Sequence, residues 1–126
     1  MIVIAKGSEE PTEENYWLEP GQPYFVYAIT QPKTSPQKTT YAINISEGAT
    51  VYDVPAELFK VVDDSLPGNW KEAEYDAYGV LMTIKTFPEW AHDSSFFSKL
   101  WDDDPQTVEI FKKYAEEYQE LAQRYK

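Results

Sequence analysis

Short apolar or alternating stretches occupy the first two thirds of the chain and predict β-strands. Residues 2–5 (IVIA) are apolar throughout. Residues 24–30 (YFVYAIT) are apolar at nearly every position, which is typical of a central strand covered on both faces. Residues 39–46 (TTYAINIS) alternate apolar and polar side chains and predict a half-buried strand. Residues 51–54 and 80–87 complete the predicted strands.

Two stretches between the predicted strands carry mixed signals. Residues 65–79 (SLPGNWKEAEYDAYG) combine Pro, Gly and acidic residues and predict a long acidic loop, anchored on the protein by Leu66, Trp70 and Tyr75. Residues 55–60 (PAELFK) allow a helix, because Pro55 suits the first helical position, or a strand, because the residues that follow are β-branched. We interpret the stretch as a brief turn followed by a strand, and the choice between helix and strand at 55–60 stays open.

The last third of the chain has the apolar spacing of helices. Residues at about 88–101 and 105–125 place apolar side chains three, four or seven positions apart, on one helix face. Asp104 directly precedes Pro105, and an acidic N-cap followed by Pro at the first helical position is a helix start signal. The run of three aspartates at 102–104 therefore marks first of all the start of the second helix.

The order of these elements predicts an α+β fold. We expect an antiparallel meander sheet of about five strands, residues 2–87, packed on one face by two C-terminal helices at about 88–101 and 105–125. No internal repeat or linker divides the chain, so residues 1–126 are expected to form a single domain. A chain of this length buries a core without disulfides, and an aromatic content of 16% excludes a disordered chain.

Negative charge is concentrated in two parts of the chain. The net charge is −11, from 22 acidic and 11 basic residues. Residues 1–31 carry five Glu and one Lys, and residues 61–104 carry ten acidic residues and three Lys, whereas residues 32–60 and 105–126 are electrically balanced. Such a distribution repels nucleic acids and anionic membranes and speeds association with a basic partner. The initial apolar run MIVIA is too short for a secretory or membrane-spanning segment, so we expect a cytoplasmic protein.

The sequence offers few residues for catalysis or metal binding. It contains no cysteine and one histidine, His92, which is followed by Asp93. Adjacent residues rarely orient each other as a catalytic triad requires, so we interpret His92 as a partly exposed residue near a helix start. The acidic residues lack the spacing of a calcium-binding loop, and the glycines form no phosphate or dinucleotide motif. We therefore expect no enzymatic activity, no metal and no cofactor.

The four tryptophans are distinguished by their surroundings. Trp90 and Trp101 lie at helical spacing and are expected in the core. Trp17 and Trp70 lie in or beside acidic, loop-rich segments. An aromatic side chain surrounded by carboxylates is typical of a surface that binds a basic protein. A sugar-stacking platform built from the same rings is the alternative interpretation.

Small size, strong acidity, the lack of catalytic residues and the expected cytoplasmic location resemble the immunity proteins that bacteria keep against their own toxins, many of which are basic nucleases. The resemblance is one of general type. It implies that the protein captures a basic, toxin-like partner and occludes it, with association speeded by charge. The expected partner-binding residues are Trp17, Trp70, Glu72, Glu74, Asp76, Asp102 and Asp103.

Two other non-catalytic functions are compatible with this composition. A DNA mimic needs rows of acidic residues at phosphate spacing, which the charge-balanced helix at 105–125 does not supply. An accessory or scaffold protein would use its acidity for solubility alone. We favour the inhibitor, and leave the identity of the partner and the oligomeric state open.

Overall fold

The computed structural model describes residues 1–6, 18–35, 38–44 and 51–123, and these residues form strands followed by helices. The strands are β1 Ile2–Ala5, β2 Pro23–Phe25, β3 Ala28–Pro32, β4 Thr40–Ile43, β5 Tyr52–Pro55, β6 Phe59–Asp63, β7 Lys71–Ala77 and β8 Val80–Thr86. The helices are α1 Pro88–Ala91, α2 Phe96–Trp101 and α3 Pro105–Gln123, and a 3₁₀ turn spans Ala56–Leu58.

The strands form two antiparallel sheets. The larger sheet has five strands in the order β5-β4-β3-β8-β7, and the smaller sheet has three in the order β2-β1-β6. The predicted α+β class, with a five-stranded antiparallel sheet and C-terminal helices, is confirmed. The meander runs through β3, β4 and β5, and the β7–β8 hairpin returns to pair with the free side of β3. The sequence pattern did not predict the smaller sheet.

The predicted strand at residues 24–30 is divided between the two sheets. β2 belongs to the smaller sheet and β3 to the larger, and Val26 and Tyr27 join them. The N–H of Tyr27 donates to the carbonyl of Ala42 at 2.8 Å, and the carbonyl of Tyr27 accepts from the Thr86 hydroxyl at 2.6 Å. Because these buried backbone groups are paired, the chain changes sheet without leaving the core. The prediction of one strand was wrong, since uniform apolarity cannot distinguish one buried strand from two.

Two hydrophobic cores lie on opposite faces of the sheets. The helical core lies between the sheets and the three helices, and Tyr27, Phe87 and Phe111 are among its fully buried side chains. The sheet core lies between the two sheets and contains Val3, Val26, Tyr41, Ile43, Val54 and Phe59. β4 contributes to both cores, because Ala42 faces the helices while its neighbours face the smaller sheet. β4 is therefore buried on both faces, whereas the alternation predicted one polar face.

Residues 71–77, predicted as part of the loop 65–79, form strand β7. Its side chains alternate between exposed charged residues and half-buried Ala or Tyr, a period of two that the acidic composition concealed. β7 joins β8 through Tyr78 and Gly79, which have φ of 53° and 85°, the turn geometry that suits a two-residue hairpin. Asp76 accepts the Gly79 N–H at 2.8 Å and stabilises this turn.

The ambiguous stretch at residues 55–60 contains both structures. A single 3₁₀ turn at Ala56–Leu58 leads directly into β6, which begins at Phe59 and pairs with β1. The interpretation of a brief turn followed by a strand is confirmed. Pro55 occupies the last position of β5, where its missing N–H does not interrupt the sheet.

The C-terminal helices begin where the sequence indicates, but the first predicted helix is interrupted. Residues 88–101 form α1 and α2, because Asp93 accepts the N–H of Ser95 at 2.9 Å and ends the first helix in a turn. α3 begins at Pro105, and Asp104 accepts the N–H and the hydroxyl of Thr107 at 3.0 and 2.7 Å, so the predicted N-cap is confirmed. Among the described residues, no helix is long and apolar enough to cross a membrane.

Candidate functional site

Three predicted partner-binding residues form a row on one face of β7. Glu72, Glu74 and Asp76, here called the acidic row, are exposed and project to the same side because they are two residues apart. β7 is an edge strand of the larger sheet. Two lysines offset part of the charge: Lys33 binds Glu74 at 2.7 Å, and Lys85 lies opposite Glu72 in the β7–β8 register.

The second predicted acidic group lies near the other edge of the sheet. Asp102 and Asp103 are exposed in the turn between α2 and α3. The preceding Trp101 packs edge-on against Tyr52 of β5, with 5.3 Å between ring centroids. β5 and β7 are the two edges of the five-stranded sheet, roughly 19 Å apart along it at the usual strand spacing. The two acidic groups are therefore separate surfaces rather than one continuous row.

The tryptophans differ from their predicted placements in one case. Trp90 is 5% exposed, as predicted for a core residue, but Trp101 is 47% exposed and that prediction was wrong. The helix break before α2 turns Trp101 toward the β5 edge, away from the core. Trp70 is half-buried against the helical core with its indole nitrogen out of contact with solvent. Trp17 lies outside the described residues, so its role, like that of Trp70, stays a prediction.

A cleft of about 480 Å³ lies between the helical face of the larger sheet and the α1–α2 segment. Its floor consists of small or medium side chains from the sheet, including Thr30, Ala73 and Ile84. α1 has only four residues, so it covers a small part of the sheet and leaves this space unfilled. Polar and aromatic side chains complete the wall: Asp53, Glu74, Tyr75, Trp90, His92, Asp93, Ser94, Phe97 and Ser98.

Asp53 of β5 is the acidic residue that faces the cleft without a cationic partner. It pairs in register with Ala42, which faces the helical core, and so it points to the helical side of the sheet. Its side chain is accessible to solvent through the cleft, while protein atoms on several sides remove much of its hydration. This desolvation raises the pKa of Asp53 above the usual range of a carboxyl group. Among the described residues, none forms a hydrogen bond or an ion pair with this carboxylate.

Tyr75 of β7 lies across the cleft from Asp53. Burial raises the pKa of the Tyr75 phenol, and the negative charge of Asp53 raises it further, while a hydrogen bond with Thr30 lowers it. Residues from the two edge strands therefore line the same cleft.

The other acidic residues near the cleft already have cationic partners. Asp93 binds the Lys99 ammonium at 2.9 Å, and this contact holds its pKa below the usual range. Lys99 and Asp93 are in turn close enough to Asp104 to influence its ionisation. Glu74, paired with Lys33, lies at the opposite rim. Of the two acidic groups, only Glu74 of the acidic row lines the cleft.

His92 lines the cleft beside Asp93 but is not oriented by it. The Asp93 carboxylate is directed to Ser95 and Lys99, and the His92 imidazole makes no hydrogen bond or ion pair with any residue that the structure describes. The described ranges also contain no group of three or more His, Asp or Glu side chains arranged to hold a metal ion.

The sequence pattern did not predict the cleft. The alternation in residues 71–77 was the signal that would have placed Tyr75 on the inner face of a strand. Asp53 carried no local signal, because its exposure to a cleft depends on the small side chains of neighbouring strands. Comparison of the chain with protein-family models, curated proteins and solved structures finds no match of any of the three kinds.

Proposed function

We propose that this protein is a non-catalytic inhibitor, of the immunity-protein type, that captures a basic protein partner and occludes its working surface. In this proposal the protein acts in the cytoplasm, needs no cofactor, and binds neither nucleic acid nor membrane. Its partner is a toxin-like effector with an excess of Lys and Arg. The proposed partner-binding surface is the acidic row, and the exposed Asp102–Asp103 turn is a second, separate contact near the other edge of the sheet.

The observation that carries the proposal is the acidic row on the exposed edge strand β7. Three carboxylates on alternate residues of one strand are held about 7 Å apart by the backbone. An edge strand is accessible from the side as well as from its face, so a partner can approach without displacing another element. The net charge of −11 adds a long-range attraction for any basic protein.

The expected contribution of the acidic row to the association rate follows from Coulomb's law. A unit charge about 7 Å away in water contributes about 0.6 kcal/mol, which falls to about 0.25 kcal/mol at physiological ionic strength, where the Debye length is about 8 Å. Three such charges therefore speed association about twentyfold at low salt and roughly three- to fourfold at physiological salt. Lys33 and Lys85 reduce these values in the free protein.

The test begins with the basic protein that the chain retains from its source cells and compares two variants of equal net charge. The test variant carries Glu72→Gln, Glu74→Gln and Asp76→Asn. The control variant carries Glu116→Gln, Glu117→Gln and Glu120→Gln, which remove three exposed charges from α3. Stopped-flow association with the partner gives the rate constants, and inhibition of the partner's activity gives the function.

We expect the test variant to associate about tenfold more slowly at low salt and the control to change by less than about threefold. Equal rates for the two variants would show that the acidic row is not the binding surface. A partner that is a DNA-binding protein, released by DNA in competition, would instead favour the DNA-mimic alternative. A retained protein without an excess of positive charge would contradict the proposal.

A further inference from the structure

The cleft has the chemistry of a site for a positively charged organic group. No Lys or Arg is among the residues that line it, and the Asp53 carboxylate faces it without a counter-ion among the described residues. The neighbouring acidic residues, Glu74 and Asp93, are each held by a lysine. The charge that the cleft leaves uncompensated is therefore that of Asp53.

The walls of the cleft add an apolar and aromatic surface around this charge. The rings of Tyr75, Trp90 and Phe97 contribute to its lining. The ring centroids of Trp90 and Phe97 lie 6.0 Å apart. Aromatic faces attract cations and also pack against the aliphatic stem that carries them.

We propose that the cleft binds a guanidinium or ammonium group on an aliphatic stem, with Asp53 as its counter-ion and Tyr75 and Phe97 as the walls that contact the stem. A volume of about 480 Å³ accommodates one such side chain or a small free amine. Desolvation makes the ionised form of Asp53 costly in the free protein, as its raised pKa indicates. A cation paired with Asp53 offsets this cost, so the cleft is expected to prefer a charged ligand over a neutral one of the same shape.

The cation has two sources, a basic side chain of a partner protein or a free small amine. Its identification as a Lys or Arg side chain rests on the proposed function, and Glu74 of the acidic row is shared between the proposed partner surface and the lining of the cleft. The binding of the cation itself does not rest on that function. The experiment below therefore begins with small probes in the absence of any partner.

The probes are n-butylguanidinium, n-butylammonium and the neutral n-butylurea, which matches the guanidinium in shape. Each is titrated into the full-length protein while backbone amide shifts are followed by NMR. We expect saturable shifts confined to Asp53, Tyr75, His92 and their neighbours for the two cations, and at least tenfold weaker binding of the urea. Equal binding of the urea, or shifts that map outside the cleft, would overturn the proposal.

Two variants test the role of the charge and of the space. Asp53→Asn removes the charge at constant size and is expected to weaken cation binding at least tenfold, whereas Glu116→Gln removes an exposed charge on α3, outside the cleft, and is expected to change it less than twofold. Ala73→Leu fills the floor of the cleft and is expected to abolish binding of all three probes. Unchanged cation binding in either Asp53→Asn or Ala73→Leu would contradict the proposal.

A basic partner, once identified, distinguishes the two sources. If the cleft receives a side chain of that partner, Asp53→Asn accelerates dissociation of the complex at least tenfold, and n-butylguanidinium competes with complex formation. If the cation is a free amine, the probes bind as expected while the complex is unaffected by Asp53→Asn. If the acidic-row variant associates with the partner as fast as the α3 control while the probes still bind the cleft, the proposed function is contradicted and the cation site is retained.

Discussion

A hydrogen bond between Tyr114 of α3 and Glu89 joins α3 to α1, which forms part of one wall of the cleft. The Tyr114 hydroxyl donates to the Glu89 carboxylate, with distances of 2.8 Å to Oε1 and 3.0 Å to Oε2. Tyr114 is 9% exposed and stacks on Phe87, with 4.1 Å between ring centroids. Tyr114→Phe removes the hydroxyl and keeps the stacking, so it tests the interactions of the hydroxyl, which involve Asn69 as well as Glu89.

The expected loss of stability follows from the geometry. A hydrogen bond to a charged group contributes about 1.5–3 kcal/mol when both partners are buried. Glu89 is half-buried, so water replaces part of the bond in the variant, and we expect Tyr114→Phe to lower the free energy of unfolding by about 1–2 kcal/mol. In a domain of this size the fall in Tm is roughly 3–10 °C. Glu89→Gln keeps a neutral acceptor for the Tyr114 hydroxyl, so it is expected to lower the free energy of unfolding by less.

The same bond has a defined dependence on alkaline pH. Burial, and next the hydrogen bond with Glu89, raise the pKa of Tyr114 to about 12, against about 10 in an unfolded chain. Because the folded-state pKa is the higher one, the contribution is fully present below about pH 10 and is lost as the pH rises toward 12. Urea unfolding at pH 8, 10 and 11.5 measures both effects. This reasoning would be refuted if Tyr114→Phe lowered the free energy of unfolding by less than about 0.5 kcal/mol at pH 8. It would also be refuted if the difference in unfolding free energy between the variant and the wild type grew above pH 10.

Three further predictions concern single residues. Asp53→Asn is expected to raise Tm at pH 7, because the raised pKa of Asp53 means that its charged form destabilises the folded protein above that pKa; no gain at pH 7 relative to pH 3 would contradict this. Thr86→Val is expected to lower the free energy of unfolding by about 1–3 kcal/mol, because it leaves the buried Tyr27 carbonyl without its donor, and Thr86→Ser, which keeps the hydroxyl, serves as the control in urea unfolding. Asp104→Ala is expected to lower Tm above pH 4 and to have a smaller effect as the pH falls, because the hydrogen bonds from Thr107 hold the pKa of Asp104 below its usual range. Asp104→Asn should restore much of the lost Tm. An equal loss of Tm at pH 3 and pH 7 in thermal unfolding would contradict the N-cap role.

The fold class could be predicted because it depends on local patterns. The helical spacing of residues 105–125 and the Asp104–Pro105 start signal act within one or two turns of the chain, and α3 begins at that signal. The boundaries between sheets depend on distant contacts instead. The change of sheet at Val26 and Tyr27 requires partners at Ala42 and Thr86, which nothing in the local pattern of residues 24–30 reveals.

The candidate site was less accessible to prediction for the same reason. The acidic row could be identified as a group of charged residues, but its placement on a strand required recognition of an alternation hidden by polar composition. The cleft depends on which side chains meet across the five-stranded sheet. Asp53 and Tyr75 belong to its two edge strands, and both line the cleft.

The central claim is that this protein works by presenting carboxylates to a basic partner. The most direct test is the association rate constant with the retained partner, measured by stopped flow between about 10 and 150 mM ionic strength. Our account predicts a fall of about tenfold or more over this range, with a weaker salt dependence in the acidic-row variant than in the α3 control. A rate that does not change with salt would contradict the account.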